Sequence, residues 1–134
     1  MPDNADWFID TNVLIYLMSS DELKATRAEQ IMEAGGVISI QVLNEFTSVA
    51  RRKLAMSWDE IREFTGIVRS ICSVEKLSDS IYDLGCQLAE RYSLSVYDAM
   101  IVASALTSGC TTLFSEDMQD GLIIDKKLKI SNPF

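Results

Sequence analysis

The sequence predicts an α/β layer fold built around a mostly parallel sheet. Two short apolar runs, "DWFID" at residues 6–10 and "GGVISI" at residues 35–40, have the pattern of buried strands, and each leads at once into a helix. A third run, "TTLFS" at residues 111–115, follows a strongly apolar helix and has the same pattern. Strands that alternate with helices are typical of this fold class.

The first half of the chain supplies two of these strands and three helices. A helix begins after Asp10 with "TNVLIYLM", and a more polar amphipathic helix covers residues 21–34. Its apolar side chains are expected to face inward: Leu23, Ala28, Ile31 and Met32. The helix after Ser39 places apolar residues at helical spacing: Val42, Leu43, Phe46, Val49, Ala50 and Leu54.

The second half is marked by helix caps. Ser57 and Glu60 form a capping box that opens a helix, and an extended piece follows near residues 72–77. The next helix runs from about Ser80 to Tyr92. Ser95 then caps an apolar helix that ends at Gly109. The segments "LIID" and "LKI", at residues 122–125 and 128–130, are possible edge strands.

Composition limits the class of protein. A chain of 134 residues with 48% apolar content is most simply one domain with a hydrophobic core. No apolar run approaches the ~20 residues that span a bilayer, and the acidic N-terminus lacks the basic region of a signal peptide. We therefore expect a cytoplasmic protein. The cysteines, which form no CxxC pair, are expected to be small buried hydrophobes: Cys72, Cys86 and Cys110.

The chain contains no histidine, which restricts its chemistry. A Ser-His-Asp triad, a Cys-His pair and a histidine-based nuclease are all excluded. The commonest zinc ligand is also missing. Any catalysis must come from carboxylates, hydroxyls, amides, lysines and arginines.

Four acidic residues are expected at one edge of the sheet. Asp10 ends the first strand, and Asp117 lies just past the strand at 111–115. Glu45 sits about one and a half turns into the helix after the second strand. Asp98 lies in the first turn of the last helix and reaches the same edge if that helix begins there. Ligands of such sheets bind at the carboxyl ends of the strands.

Each acid also has an ordinary structural explanation. Asp10 and Asp98 stand where helices begin, and Asp98 with the serine three residues earlier matches a capping box. Glu45 fits a solvated helix face, and Asp117 lies in an acid-rich loop. Convergence of four acids from four segments nevertheless favours a site over four separate explanations.

Clustered carboxylates repel one another, so they take up protons or bind a cation. Oxygen ligands without thiols or imidazoles suit Mg²⁺ or Mn²⁺. Such an ion lowers the pKa of a bound water and stabilises the leaving oxygen of a phosphodiester. The pattern therefore predicts metal-dependent phosphodiester hydrolysis. The hydroxyls of Thr11 and Ser115 and the amide of Asn12 would position the acids or hold metal-bound water.

Several motifs together resemble one known family. "FIDTNVLIYL", "VLNEF", "VYDAMIVASAL", "LFSEDMQDG" and the closing "ISNPF" look like a PIN-domain ribonuclease, and most like the VapC-type toxins of type II toxin–antitoxin pairs. The resemblance covers essentially the whole chain, in order, so residues 1–134 are expected to form a single PIN domain. The "DTN" tripeptide is weak by itself, but the set of motifs at this spacing is specific.

The resemblance implies a three-layer α/β/α fold with four or five parallel strands flanked by helices. It implies Mg²⁺ or Mn²⁺ held by catalytic acids, cleavage of single-stranded RNA, a homodimer and inhibition by a cognate antitoxin. Those acids match Asp10, Glu45, Asp98 and Asp117. Thr11 and Asn12 match as supporting residues, and either Glu116 or Asp120 would replace or assist Asp117.

The net charge of −8 argues against nucleic-acid binding unless bound cations offset it. The proposed acids account for about half of that charge. Two basic clusters either contact phosphates or form solvated faces: Arg51, Arg52 and Lys53, and Lys126, Lys127 and Lys129. The basic end of the helix after Ser39 also suits the helix dipole.

Three other classes of α/β protein share part of this pattern. A haloacid-dehalogenase-like enzyme needs a second aspartate two residues after the first, where this chain has Asn12. A receiver domain needs a lysine at a late strand end, and residues 111–121 contain none. A PIN fold that only binds a partner, with weak or no nuclease activity, stays open.

Overall fold

The computed structural model describes residues 6–134, which form a central six-stranded sheet flanked by helices. The strands are β1 (Trp7–Ile9), β2 (Gly36–Ser39), β3 (Cys72–Glu75), β4 (Thr112–Phe114), β5 (Ile123–Ile124) and β6 (Leu128–Ser131). The helices are α1 (Thr11–Tyr16), α2 (Glu22–Glu33), α3 (Ile40–Arg52), α4 (Trp58–Ile71), α5 (Asp79–Tyr92) and α6 (Val96–Thr107).

The strand order is β3-β2-β1-β4-β6-β5, and all neighbours are parallel except the antiparallel β5–β6 pair. The chain moves outward from β1 through β2 to β3 and then returns to place β4 on the other side of β1. Because parallel crossovers are right-handed, α1 to α4 cover one face and α5 with α6 cover the other. The contacts of α1 with α2 and α3, and of α5 with α6, agree with these two layers.

The reversal of strand order between β1 and β4 creates the crevice where ligands of such sheets bind. Two backbone contacts join the end of β4 to its neighbours, the first to β1 and the second to β6. The Asp10 backbone N–H donates to the Phe114 carbonyl at 3.0 Å, and the Ser115 N–H donates to the Ser131 carbonyl at 3.1 Å. The residues that follow β1 and β4 are therefore held side by side at the carboxyl edge.

The inner strands β1, β2 and β4 have no exposed residue, as expected of a parallel sheet covered by two helical layers. Phe8, Ile38, Leu113 and Ile130 are fully buried and come from four neighbouring strands. Helix α6 is apolar around much of its circumference, because it packs on the sheet and against α5. This packing fixes the strand ends that carry the acids.

Serine N-caps open four helices, and each accepts a backbone N–H three residues further on: Ser39, Ser57, Ser78 and Ser95. Ser57 and Glu60 form the complete capping box predicted from the sequence. A cap satisfies one of the N–H groups that a helix start leaves unpaired, which stabilises the helix by ~1 kcal/mol. Two of the caps, Ser39 and Ser78, also fix where α3 and α5 begin after β2 and β3.

The mostly parallel sheet flanked by helices confirms the predicted fold, but its strand number was underestimated. Six strands form instead of four or five, because both C-terminal segments join the sheet. The segment "LKI" is not an edge, since β6 lies between β4 and β5. Strand β5 is the edge, and a hairpin turn with positive φ at Asp125 and Lys126 connects it to β6.

Two burial predictions were wrong. Leu23 is 84% exposed because it lies in the first turn of α2, on the side away from Ala28 and Met32. Cys86 is exposed on α5, since the buried face of that helix runs through Ile81, Gly85 and Leu88. Within residues 6–134, no helix combines the length and apolar character that a bilayer crossing requires.

Candidate active site

Asp10 is the most buried of the four acids, with 6% of its surface exposed. It follows β1 and is the N-cap of α1, so both explanations of its position apply together. Its Oδ1 accepts the backbone N–H of Thr11 at 2.7 Å, and its Oδ2 accepts the Ser115 hydroxyl at 2.8 Å. Ser115 follows β4, so this second bond crosses the crevice between β1 and β4.

Burial raises the pKa of the Asp10 carboxyl from 3.8 to about 6. The hydrogen bonds from Ser115 and Thr11 lower that pKa, while the charges of Glu45 and Asp98 raise it further. These like charges therefore lie within electrostatic reach of Asp10. A bound cation would favour the ionised form of the carboxyl and offset the repulsion.

The "DTN" tripeptide connects three of the acids. Asp10 is the first of them, and Thr11 donates its buried hydroxyl to Glu45 Oε2 at 3.0 Å. Asn12 donates its side-chain amide to Asp117 Oδ2 at 2.8 Å. Each of the three predicted supporting side chains thus contacts one acid: Thr11 contacts Glu45, Asn12 contacts Asp117, and Ser115 contacts Asp10.

Glu45 lies on α3 and leans over the carboxyl edge, where two neighbours hold it. Its Oε2 accepts from Thr11, and its Oε1 accepts the amide of Gln41 at 2.9 Å. Gln41 was absent from the residues chosen from the sequence. Its spacing of four residues before Glu45 places both side chains on one helix face, which was the available signal.

Asp98 occupies the first turn of α6, at the edge where the other acids lie. Its backbone N–H donates to the Ser95 hydroxyl at 3.1 Å, so it takes part in the predicted cap. Burial raises the pKa of the Asp98 carboxyl, a hydrogen bond with Ser95 lowers it, and the charges of Asp117 and Glu45 raise it. Asp98 is therefore both a cap residue and a member of the acid cluster.

The three acids in the loop after β4 make different contacts. Asp117 contacts Asn12, whereas Glu116 accepts the Tyr16 hydroxyl and pairs with Lys24 Nζ at 3.4 Å. Asp120 accepts the backbone N–H of Asn132 at 2.9 Å. The structure thus brings Asp117 to the cluster and gives Glu116 and Asp120 contacts outside it. Tyr16 was not singled out from the sequence.

The predicted basic clusters lie on the surface, and one of them has a structural role. Arg51 donates to the Met56 carbonyl at 2.9 Å, and its guanidinium lies 4.9 Å from the centre of the Trp58 ring. These contacts stabilise the connection between α3 and α4. Lys126, Lys127 and Lys129 are exposed on the β5–β6 hairpin.

A groove of about 520 Å³ adjoins Glu45. Gln41 and Glu45 line it from α3, and side chains of α5 and α6 line the opposite wall. Four apolar or aromatic side chains around the groove are exposed: Leu77, Tyr82, Val96 and Tyr97. An exposed apolar patch next to a cluster of acids is the kind of surface that marks an interaction site.

The four acids offer oxygen ligands of the kind that a divalent cation binds. Across residues 6–134, no group of three or more Asp, Glu or Cys side chains is arranged as a ready-made metal cage. Mg²⁺ does not require one, because it usually binds through one or two carboxylates and keeps several waters. Four carboxylates, two of them with raised pKa values, fit such an ion.

Comparison with known proteins gives the same fold. Residues 7–119 match the PIN domain family. A protein of a toxin–antitoxin complex from Klebsiella pneumoniae is 23% identical, with 98% of both chains covered and a TM-score of 0.73. VapC20 of Mycobacterium tuberculosis, a sarcin–ricin loop cleaving toxin, is 19% identical over 83% of this chain and 91% of its own, with a TM-score of 0.65.

FitAcB from Neisseria gonorrhoeae is 13% identical, with 95% of this chain and 97% of that chain covered and a TM-score of 0.66. No curated protein sequence matches the chain significantly. At these identities the solved structures establish the fold alone, whereas the family match covers most of the chain. The chain belongs to the PIN domain family.

Proposed function

We propose that this protein is a Mg²⁺- or Mn²⁺-dependent endoribonuclease that hydrolyses phosphodiester bonds of single-stranded RNA. The observation that carries the proposal is the convergence of Asp10, Glu45, Asp98 and Asp117 beside the crevice between β1 and β4. The proposed setting is the cytoplasm, where the protein acts as the toxin of a toxin–antitoxin pair.

The proposed division of labour follows the contacts. Asp10 is the most buried acid and is fixed by two hydrogen bonds, so it is the rigid centre of the ion site. Glu45 and Asp98 approach from α3 and α6, and Asp117 closes the site from the loop after β4. When bound, the ion supplies activation of a water nucleophile and stabilisation of charge on the leaving oxygen. Thr11, Asn12 and Ser115 hold the acids in place.

The choice of RNA as the substrate rests on the family match and on one relative. The M. tuberculosis relative is described as a toxin that cleaves the sarcin–ricin loop. The acidic total charge is compatible with RNA binding if the ion offsets the four carboxylates, as bound cations dominate the local field of such sites. The lysines of the β5–β6 hairpin lie at the other edge of the sheet, since Lys129 pairs with the first residue of β4, so they do not contribute positive charge at the acids.

Cleavage of mixed single-stranded RNAs in the presence of Mn²⁺ tests the proposal. We expect defined fragments with Mn²⁺ or Mg²⁺ and none in excess EDTA, with activity restored when the ion is returned. Asp117→Asn should reduce cleavage by about tenfold or more, since 1.36 kcal/mol of lost stabilisation already gives a factor of ten.

Glu116→Gln is the matched control from the same loop. Because Glu116 is engaged by Tyr16 and Lys24, its neutralisation should change the cleavage rate by less than about threefold, or ~0.7 kcal/mol. Full cleavage in EDTA would overturn the metal-dependent mechanism. Equal losses in both variants would show that the fourth acid has been misassigned.

A homodimer and an antitoxin partner complete the proposal. The exposed apolar patch beside the groove supports burial by another protein surface, and the K. pneumoniae relative comes from a toxin–antitoxin complex. Light scattering on the purified chain should give twice the mass of 15.0 kDa. A monomeric mass at working concentration would contradict the dimer.

A further inference from the structure

We infer that Gln41 is a positioning residue that sets the distance between Glu45 and the helix turn carrying Asp98. Gln41 is 8% exposed, and its side-chain amide nitrogen donates to two acceptors. Glu45 Oε1 accepts at 2.9 Å, and the backbone carbonyl of Tyr97 accepts at 3.0 Å. The inference rests on the proposed function, because it assigns Gln41 to the geometry of that ion site.

The position of Gln41 in the fold makes this bond important. Helix α3 and the start of α6 both line the groove of about 520 Å³, and the bond from Gln41 to the Tyr97 carbonyl joins them directly. The other acids are connected through the "DTN" tripeptide and Ser115. Asp98 lies in the first turn of α6 next to Tyr97, and Gln41 connects that turn to Glu45.

The two acids repel each other, so their separation needs a donor between them. A glutamine amide has two hydrogens, one for each acceptor, and no charge. A lysine at this position would neutralise Glu45 and compete with the cation. A glutamine holds the carboxylate without reducing the negative charge available for the ion. The geometry therefore suits positioning and does not require Gln41 to touch the substrate.

Measurement of Mn²⁺ affinity by calorimetry tests the inference, with Gln41→Met as the main variant. Methionine has similar length and no N–H donor, so the fold should be kept. We expect the Mn²⁺ dissociation constant to rise about tenfold, within the 10–100-fold range seen when a group that orients a metal ligand is removed. RNA cleavage should recover to near the wild-type rate at saturating Mn²⁺.

Two further variants separate positioning from a general structural effect. Gln41→Asn keeps the amide but is one methylene shorter and should weaken Mn²⁺ binding similarly. Ser48→Ala removes a hydroxyl seven residues after Gln41 on α3, where it accepts a hydrogen bond from Arg52. This variant should leave Mn²⁺ binding unchanged. Thermal unfolding of each variant checks that the fold is retained.

The possible failures are distinguishable. If wild type binds Mn²⁺ and Asp10→Asn does not, but Gln41→Met and Gln41→Asn both bind like wild type, the role of Gln41 is overturned and the ion site stands. If wild type itself shows no Mn²⁺ binding, the proposed function fails and the inference fails with it. A loss of cleavage in Gln41→Met that saturating Mn²⁺ does not restore would also contradict positioning of the ion ligands.

Discussion

Replacing Asp10 by asparagine should abolish RNA cleavage and at the same time stabilise the metal-free protein. The loss of activity follows from removal of the central carboxylate of the proposed ion site. Metal ions stabilise transition-state charge by several kcal/mol, so cleavage should fall by about 10²-fold or more at 1.36 kcal/mol per factor of ten. Quantified cleavage of a single RNA at fixed Mn²⁺ measures this.

The gain in stability has a separate cause. The pKa of the Asp10 carboxyl is raised to about 6 in the folded protein, chiefly by burial. A raised pKa means that the protonated form stabilises the native state, fully below about pH 3.8 and progressively less as pH rises through about 6. Above that pH the buried charge costs up to ~3 kcal/mol, given about 1.4 kcal/mol for each pKa unit.

Asparagine has nearly the same shape and can keep both contacts of Asp10. Its oxygen can accept the Thr11 N–H, and its amide can donate to the Ser115 hydroxyl. Urea unfolding without metal should therefore show Asp10→Asn to be the more stable protein at about pH 7.5 and the difference to shrink towards pH 4. A variant that is less stable than wild type at both pH values would contradict the buried charge at this position.

Expression in cells provides an independent readout of the same variant. The wild-type chain should arrest growth and Asp10→Asn should not, at equal amounts of folded protein. Co-expression of the proposed antitoxin, a small protein encoded alongside the chain, should restore growth to wild-type producers. Unimpaired growth with abundant folded wild-type protein would argue against the toxin.

Replacing Phe46 by alanine should have the largest effect on stability. Its ring is fully buried on α3 and stacks on Phe64 of α4, with ring centroids 4.6 Å apart. Truncation of a buried phenylalanine costs about 3–5 kcal/mol, which is a large part of the ~5–15 kcal/mol that holds a domain folded. Urea unfolding measures the loss of stability: the midpoints of variant and wild type are compared, provided that the free energy of unfolding falls with urea at a similar slope in both.

Trp58→Ala is the matched control, because this aromatic residue of α4 is 51% exposed. It contacts Arg51 by a cation–π interaction, so its removal should cost no more than ~1 kcal/mol. A loss of less than about 1 kcal/mol in Phe46→Ala would show that the α3–α4 contact does not fix the helix carrying Glu45.

Local patterns account for what was predicted correctly about the fold. Strands followed directly by helices, and serines immediately before the first turn of a helix, are visible in the sequence because they depend on near neighbours. Strand β5 is an edge strand as predicted, but the inner position of β6 was missed, because a short apolar segment does not show which strands it will pair with. Cys86 was misjudged because a cysteine pattern says nothing about the face of its helix.

The sequence by itself determined which residues are available for chemistry. It supplies four acids in or next to the segments that follow strands, it contains no histidine, and it carries motifs of the PIN family. Only the tertiary structure decided how those residues meet. Thr11 reaches Glu45 across 34 positions, and Asn12 reaches Asp117 across 105. The tertiary structure also pairs Glu116 with Lys24 and places the Gln41 amide between Glu45 and the Tyr97 carbonyl. The physical reason is that these bonds join segments brought together by strand order and helix packing, which no local pattern encodes.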